Sequence, residues 1–283
     1  MSQFAGYHSF LPSVFSKVFR KQHFIVLNGT ECNNFPEYNY GYIIRPFLFW
    51  FSKKSMAWAT KLLPVSESLV QSDYTYKETL YNIQGFKAFY KNIVTPIEVV
   101  YNGVSPARFH LKTDRERDTA SFITVATGLN SDRIKGIKGL DLVIELAEKT
   151  PQNTYTFIGA EHDEAIQLPA NIKVLGFVNN DELGEYYNAH AFYLQLSVSE
   201  GFGIAVCEAM LCGCVPIVSN VGILPEIAGE FGYVLETKDS EKLLALVEVA
   251  RRDYQVERLH ALREHVVSRY DIAIRRNKLH SLL

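Results

Sequence analysis

From about Ser121 onward, short apolar runs alternate with longer segments whose apolar residues recur at helical spacing. Apolar runs at 122–125, 155–158, 172–175, 191–196, 214–219 and 232–235 are predicted strands, and 138–149, 204–212 and 240–252 are predicted helices. Strands that alternate with helices form a parallel sheet covered on both faces. The pattern therefore predicts an α/β fold with a Rossmann-like domain over residues 121–262, followed by a C-terminal helix over 263–283.

The first hundred residues are less regular, with predicted strands at 24–27, 62–65 and 97–101. Residues 106–120 are polar and charged, which is typical of a connection between domains. We therefore predict a first domain over residues 1–105, also Rossmann-like, and an interdomain linker over 106–120.

Composition excludes several functional classes. The net charge of −2 argues against nucleic-acid binding, which usually requires a strongly basic domain. The apolar window at 43–51 is too short to span a bilayer, which needs about 20 residues. No cysteine spacing is typical of a metal site, and the thiols of Cys32, Cys207, Cys212 and Cys214 are expected to be buried and free in a reducing compartment.

The most informative segment is residues 199–210, which lies between a predicted strand and a predicted helix. Gly201 and Gly203 allow the backbone to approach a ligand closely, and the free N–H groups of a helix start attract anions. Glu200 and Glu208 place carboxylates on either side of the helix start, where they can accept hydrogen bonds from sugar hydroxyls. A tight turn with two surface carboxylates is the structural alternative.

With its two glutamates separated by seven residues, this segment resembles the signature of glycosyltransferase family 4, whose members have the two-domain GT-B fold. The resemblance extends over most of the chain and is most specific over residues 122–236. It implies transfer of a sugar from a nucleotide diphosphate sugar to an acceptor, with retention and without a metal. It implies no cofactor, because the nucleotide-sugar donor is a substrate.

The resemblance also implies roles for individual residues. Lys138 matches a lysine that holds the donor diphosphate, and Arg133 or Lys135 could supply the accompanying cation. Glu200 is expected to act in catalysis on the donor sugar and Glu208 to bind the ribose. The remaining donor-binding residues implied are Gly201, Phe202, Gly203 and Ile204 at the phosphates and Phe177 and Val178 at the base.

Two departures from the family pattern concern the first domain. The family's opening strand and glycine-rich loop are not recognisable, so we expect an N-terminal domain that lacks its first elements, with reduced or no activity. Many relatives carry a histidine after the strand that here ends at Leu27, where this chain has Asn28 and Gly29. His8, one helix earlier, is the candidate catalytic histidine, and a structural role is the alternative.

Residues 45–63 combine Phe47, Trp50 and Trp58 with Lys53 and Lys54, a mixture that suits a helix at a membrane surface. A core helix with a solvated basic edge is the alternative. Because many relatives use lipid-linked acceptors, we expect a glycan or lipid-linked acceptor and a cytoplasmic location, with contact to the inner face of the membrane left open.

These observations predict a hexosyltransferase that uses a UDP- or GDP-linked sugar in the assembly of a cell-surface glycan or glycolipid. Two alternatives remain. One is an inactive remnant that only binds nucleotide, and the other is a nucleotide-sugar epimerase of the same fold.

Overall fold

The computed structural model describes residues 1–114, 116–160 and 166–282, which form two α/β units. The elements of the first unit are β1 (Ser2–Gln3), α1 (Tyr7–Phe19), β2 (Phe24–Leu27), α2 (Pro46–Trp58), β3 (Lys61–Pro64), β4 (Ser72–Asp73), β5 (Ile83–Gln84) and α3 (Phe86–Phe89). Strands β1, β2 and β3 form a parallel sheet in that order, with Val26 paired to Gln3 on one side and Leu63 on the other. The short strand β1 was not predicted from the sequence.

The second unit contains the alternating elements that the apolar pattern predicts. They are β6 (Ser121–Val125), α4 (Asp132–Lys138), α5 (Leu140–Lys149), β7 (Thr154–Ile158), β8 (Ile172–Leu175), α6 (Asn180–Asn188), β9 (Phe192–Gln195), α7 (Ile204–Leu211), β10 (Val215–Ser219), α8 (Leu224–Ala228), β11 (Tyr233–Leu235), α9 (Ser240–Arg252), α10 (Leu259–Tyr270) and α11 (Ile272–His280).

The six strands of the second unit are all parallel, in the order β11-β10-β9-β6-β7-β8. Every residue of β9 and β10 is buried, which explains why these strands are apolar up to a polar last residue, Gln195 in β9 and Ser219 in β10. The chain moves outward from β6 in one direction and from β9 in the other, so the connections reverse between these two strands. In an open parallel sheet, ligands bind at the carboxyl ends of the strands beside such a reversal.

The C-terminal residues differ from the prediction of a single helix. Helix α10 ends at Tyr270, and Asp271 has an extended backbone while its carboxylate accepts a hydrogen bond from the Ala273 N–H at the start of α11. Helix α11 then packs on the first unit, where Arg275 donates to the carbonyls of Val100 and Tyr101 at 3.0 and 2.7 Å. The chain therefore crosses between the units twice.

Residues 97–120 form the first crossing between the units, and the strand predicted at 97–101 is not formed. Residues 97–101 run beside β3 without forming a regular strand; Leu62 and Ile97 make an isolated parallel bridge. The predicted linker at 106–120 packs on the second unit. Lys112 N–H donates to Asn188 Oδ1 at 2.8 Å, and the buried Arg117 guanidinium donates to the carbonyl of His190 at 2.8 Å.

Candidate functional site

The residues that follow β6 and β9 meet at the reversal of the second sheet. Gly139 has a φ of +71°, and a Cβ atom there would lie 2.0 Å from the carbonyl oxygen of Leu196. The Val198 N–H donates to the Ile137 carbonyl at 2.8 Å. This close packing of helix end against loop brings the signature segment after β9 next to Lys138.

Glu200 lies on the surface of this loop with 19% of its side chain exposed. Its carboxylate accepts hydrogen bonds from Gln195 Nε2 at 3.2 Å and from the Gly201 N–H at 3.1 Å. Lys138 Nζ lies 3.9 Å from Glu200 Oε2, and the lysine side chain is 35% exposed. A carboxylate and an ammonium group therefore stand side by side, both reachable by a ligand.

Helix α7 begins directly after Gly203, whose φ of +97° is unfavourable for residues with a side chain. Gly203 is the N-cap residue and has no side chain with which to cap the helix. The first N–H groups of α7, at Ile204 and the residues after it, therefore donate no hydrogen bond to a side chain of the N-cap residue, which suits binding of an anion.

The three basic residues predicted for the diphosphate occupy different positions on α4. Lys138 is the last residue of the helix, whereas Arg133 lies in the first turn and is exposed. Lys135 Nζ forms an ion pair with Asp132 Oδ1 at 2.7 Å. Helix α4 was not predicted, since the helix predicted at 138–149 corresponds to α5.

Glu208 lies in the second turn of α7 and is half-buried. Burial raises the pKa of its carboxyl to about 7, and the positive charge of Arg108 opposes that shift. Arg108 also lies 3.7 Å from Asp181 at the start of α6. The sequence reasoning missed Arg108, because the residue belongs to the segment that was predicted to be a linker.

The predicted base-binding residues lie at the carboxyl end of β8. Phe177 is 91% exposed, and Val178 is half-buried. A cleft of about 370 Å³ is lined by Thr127, Gly128, Leu129, Asn130, Ser131, Ile134 and Gly159, and neither Phe177 nor Val178 lines it. The wall of this cleft therefore comes from the carboxyl ends of β6 and β7 and the start of α4.

The first unit contacts the signature segment directly. A Cβ atom on Gly201 would lie 1.8 Å from the Asn28 carbonyl oxygen, so only glycine permits this approach. Ser66 Oγ donates to the Gly201 carbonyl at 2.8 Å, and Asn33 Nδ2 donates to Ser199 Oγ at 3.1 Å. Sequence reasoning did not single out Ser66 or Asn33, although both follow strands that end at this edge.

His8 lies in the first turn of α1 and is exposed, and its ring Nε2 is hydrogen-bonded to the Gln3 carbonyl. The Gln3 side chain accepts a hydrogen bond from Asn28 Nδ2 at 3.1 Å. Hydrogen bonds therefore link His8 through Gln3 to Asn28, whose carbonyl lies against Gly201.

The segment at 45–63, for which a membrane-surface helix and a core helix were the alternatives, contains α2, which packs on α1. Phe10 of α1 makes ring contacts with Phe51 at 4.9 Å and with Trp50 and Trp58 at 5.7 Å. Phe47 is nevertheless 78% exposed. Within residues 1–114, 116–160 and 166–282, none of the helices combines the length and apolar character that a membrane span requires.

Comparison with known proteins identifies the family to which the chain belongs. The family model described as "Glycosyl transferases group 1" matches residues 121–266, slightly more than half of the chain. The O-antigen chain mannosyltransferase B of Escherichia coli is 33% identical over 122 residues, which cover 39% of this chain and 32% of that relative. The match thus spans about a third of the relative's length.

Solved structures match nearly the whole chain. Sucrose-phosphate synthase from Thermosynechococcus elongatus has a TM-score of 0.71 at 16% identity, covering 99% of this chain and 71% of its own. Anabaena HepE in complex with UDP has a TM-score of 0.70 at 15% identity, covering 97% and 75%. At this identity the likeness establishes the fold, and the family model establishes the relationship. The chain belongs to the group 1 glycosyl transferases and has their two-unit GT-B fold.

Proposed function

We propose that the chain transfers a hexosyl group from a UDP- or GDP-linked sugar to an acceptor hydroxyl, with retention at the anomeric carbon. The product would be part of a cell-surface glycan or glycolipid. The observation that carries the proposal is the convergence of Glu200, Lys138 and the uncapped start of α7 at the reversal of the parallel sheet.

In this reaction the bond from the anomeric carbon to the diphosphate oxygen breaks, and negative charge grows on the departing nucleoside diphosphate. Lys138 would stabilise that charge together with the N–H groups at residues 201–204, and Arg133 or Lys135 would add a second cation. Preorganised donors of this kind are effective because they need no reorganisation during the reaction.

The carboxylates would divide recognition of the donor between them. Glu200, beside Lys138 and partly exposed, would accept hydrogen bonds from hydroxyls of the sugar. Glu208, four residues beyond the helix start, would accept from the ribose hydroxyls. Phe177 and Val178 would border the base at the carboxyl end of β8.

The acceptor would enter from the first unit, because the loops after β2 and β3 form the opposite wall at Gly201. His8, which lies in the first unit, would orient the acceptor hydroxyl. The E. coli relative is by its name an O-antigen mannosyltransferase, and the Anabaena structure holds UDP. These two names support a nucleotide-sugar donor and a glycan acceptor.

Calorimetry and a transfer assay test the proposal. We expect heat of binding with UDP or GDP without added metal, and transfer from UDP-glucose, UDP-N-acetylglucosamine or GDP-mannose. The Glu200→Gln variant should retain nucleotide binding and lose transfer, while Glu264→Gln, an exposed glutamate on α10, serves as the matched control. No binding of any nucleotide would contradict the proposal.

The same assay separates the two alternatives. Nucleotide binding without consumption of any donor would favour a remnant that only binds nucleotide. Conversion of one nucleotide sugar into its epimer, visible by NMR, would favour the epimerase. The anomeric configuration of a transferred sugar, read by the same method, decides between retention and inversion.

We further propose that the outer faces of α1 and α2 contact a membrane surface. These faces expose a set of large apolar side chains: Tyr7, Leu11, Phe15, Val18, Phe19, Phe47 and Trp50. Lys17 and Lys54 lie over the ring of Trp58, at 5.1 and 5.6 Å. Apolar side chains next to lysines suit the interface of an anionic bilayer.

A further inference from the structure

Glu31 is a fully buried carboxyl group to which the proposed reaction gives no role. It lies in the loop after β2, and its relative exposure is 0%. Its two carboxyl oxygens accept hydrogen bonds from the backbone N–H groups of Asn28 at 2.9 Å and Gly29 at 3.3 Å. The Ala5 backbone, which follows β1, also hydrogen-bonds to this carboxyl.

Asn28 and Gly29, whose N–H groups donate to Glu31, also lie against the signature segment of the second unit at Gly201. Gly29 has a φ of +141°, a backbone conformation that is unfavourable for residues with a side chain. A Cβ atom at this position would have Gly201 Cα as its nearest neighbour, at 3.4 Å. The carbonyl of Asn28 approaches Gly201 from the other direction. The Glu31 carboxyl thus fixes both peptide units that form the first unit's side of the cleft.

A carboxyl group is an unusual choice for this position because burying its charge is costly. Burial raises the pKa of Glu31 to about 7, in spite of the backbone hydrogen bonds, which favour the charged form. An alkyl side chain would avoid that cost but would leave the two N–H groups without an acceptor. The carboxyl is therefore explained by the two peptide groups that it satisfies.

The titratable groups packed around Glu31 are Cys32, Tyr40, Tyr42 and Tyr90. Burial raises the pKa of each of them, so they are neutral near pH 7. Across the cleft lies Glu200, whose charge acts on Tyr40 together with that of Glu31.

On the side of β1, the titratable group connected to Asn28 by hydrogen bonds is His8. Its ring is hydrogen-bonded to the Gln3 carbonyl, and the Gln3 side chain accepts from Asn28 Nδ2. A His8 variant is therefore the control for an experiment on Glu31.

We propose that Glu31 is a positioning residue, whose carboxyl holds Asn28 and Gly29 in the conformation that closes the first unit onto Gly201. The inference rests on the proposed transferase function for its effect on turnover. Its effect on the loop itself requires no activity.

Amide hydrogen exchange of the full chain, read on peptides covering residues 27–33, tests the loop directly. We expect Glu31→Ala to lower protection of these residues by about ten-fold, the equivalent of one lost hydrogen bond in a buried site. Glu31→Gln keeps one carbonyl acceptor and should restore most of the protection. Glu78→Gln, an exposed glutamate of the same unit, is the control, and a peptide covering β7 is the internal reference.

The dependence on pH has a definite sign. A carboxyl whose pKa is about 7 when the loop is closed, and ordinary when the loop is open, favours the open loop once it ionises. Protection of residues 27–33 should therefore fall about ten-fold between pH 6 and pH 8, after correction for intrinsic exchange. Glu31→Gln should abolish this fall, and His8→Asn should leave it unchanged.

The transfer assay supplies the second measurement. Glu31→Ala should lower kcat at least ten-fold while the Kd for nucleotide, which is bound by the second unit, stays unchanged, and Glu31→Gln should recover most of kcat. Wild-type protection in both Glu31 variants, or wild-type kcat in Glu31→Ala, would overturn the inference. If Glu31→Ala does not fold, the pH response of the wild type against Glu31→Gln decides. Absence of nucleotide binding by the wild type would instead overturn the proposed function and leave the exchange result intact.

Discussion

Glu208 offers the sharpest test of the donor site, because its protonation should control nucleotide affinity. Burial raises the pKa of its carboxyl to about 7, so a large fraction of the protein is protonated at neutral pH. Hydroxyl donors from a ribose favour the ionised carboxylate, since a charged acceptor forms stronger hydrogen bonds than a neutral one. Binding should therefore require Glu208 to lose its proton.

The size of the expected change in nucleotide affinity follows from the pKa of Glu208. The ionised fraction of a group with a pKa of about 7 falls roughly ten-fold between pH 8 and pH 6. If only the ionised form binds, the Kd for a nucleotide sugar should rise about ten-fold over the same interval, or about 1.4 kcal/mol. For the free protein the sign is opposite: a raised carboxyl pKa contributes stability below pH 4.5 that is lost as the pH rises through 7.

Calorimetry with UDP-glucose or GDP-mannose at pH 6, 7 and 8 measures this dependence. A nucleotide sugar is preferable to the free nucleoside diphosphate, because its doubly esterified diphosphate does not titrate in this range. Glu208→Gln removes the ionisable group and should give a flat profile, with a Kd above that of the wild type at pH 8. Loss of the charged hydrogen bond should cost about 1.5–3 kcal/mol. A wild-type profile as flat as that of Glu208→Gln would refute the assignment of Glu208 to the ribose.

Three further predictions address other parts of the site. Lys138→Met should weaken UDP binding by about 1.5–3 kcal/mol, and the loss measured by calorimetry should shrink at high salt; an unchanged Kd would exclude a diphosphate contact. Gly201→Ala should lower kcat with little change in nucleotide Kd, because its methyl group would collide with the Asn28 carbonyl and hold the cleft open; wild-type kcat would contradict this. Trp50→Ser should weaken flotation with anionic vesicles, whereas Leu80→Ser, at an exposed apolar residue outside α1 and α2, should not; equal effects would argue against a specific membrane face.

The alternation of apolar runs in the second unit was sufficient to predict its fold. Strands such as β9 and β10 are buried along their whole length, and a buried parallel strand is recognisable as a nearly continuous apolar run. The spacing of Glu200 and Glu208, with the glycines between them, likewise predicted the family, and the family model confirms that prediction. The roles of these residues remain predictions.

The features that the sequence did not reveal depend on contacts between distant segments. Strand β1 has two residues, too few for any periodicity, and is defined by its pairing with β2. The break at Asp271 separates α10 from α11, although both flanking segments are helical in pattern. Ser66 and Arg108 carry no motif, and their importance follows from the distances to Gly201 and Asp181 that only the fold creates.

The donor loop and the two crossings between the units form one packed cluster. Phe202, the residue between the two glycines, is buried, and its ring lies 6.2 Å from Tyr101 and 5.4 Å from Tyr270. Tyr101 belongs to the first crossing and Tyr270 is the last residue before the second, and the Tyr270 hydroxyl donates to Glu226 Oε1 at 3.1 Å. A change in the angle between the units is expected to move the rings of Tyr101 and Tyr270. Because protein interiors are closely packed, such a movement would also displace Phe202. Phe202, which is proposed to line the donor site, therefore packs beside residues of both crossings, and substitutions at Tyr101 or Tyr270 are expected to alter nucleotide binding without removing a ligand contact.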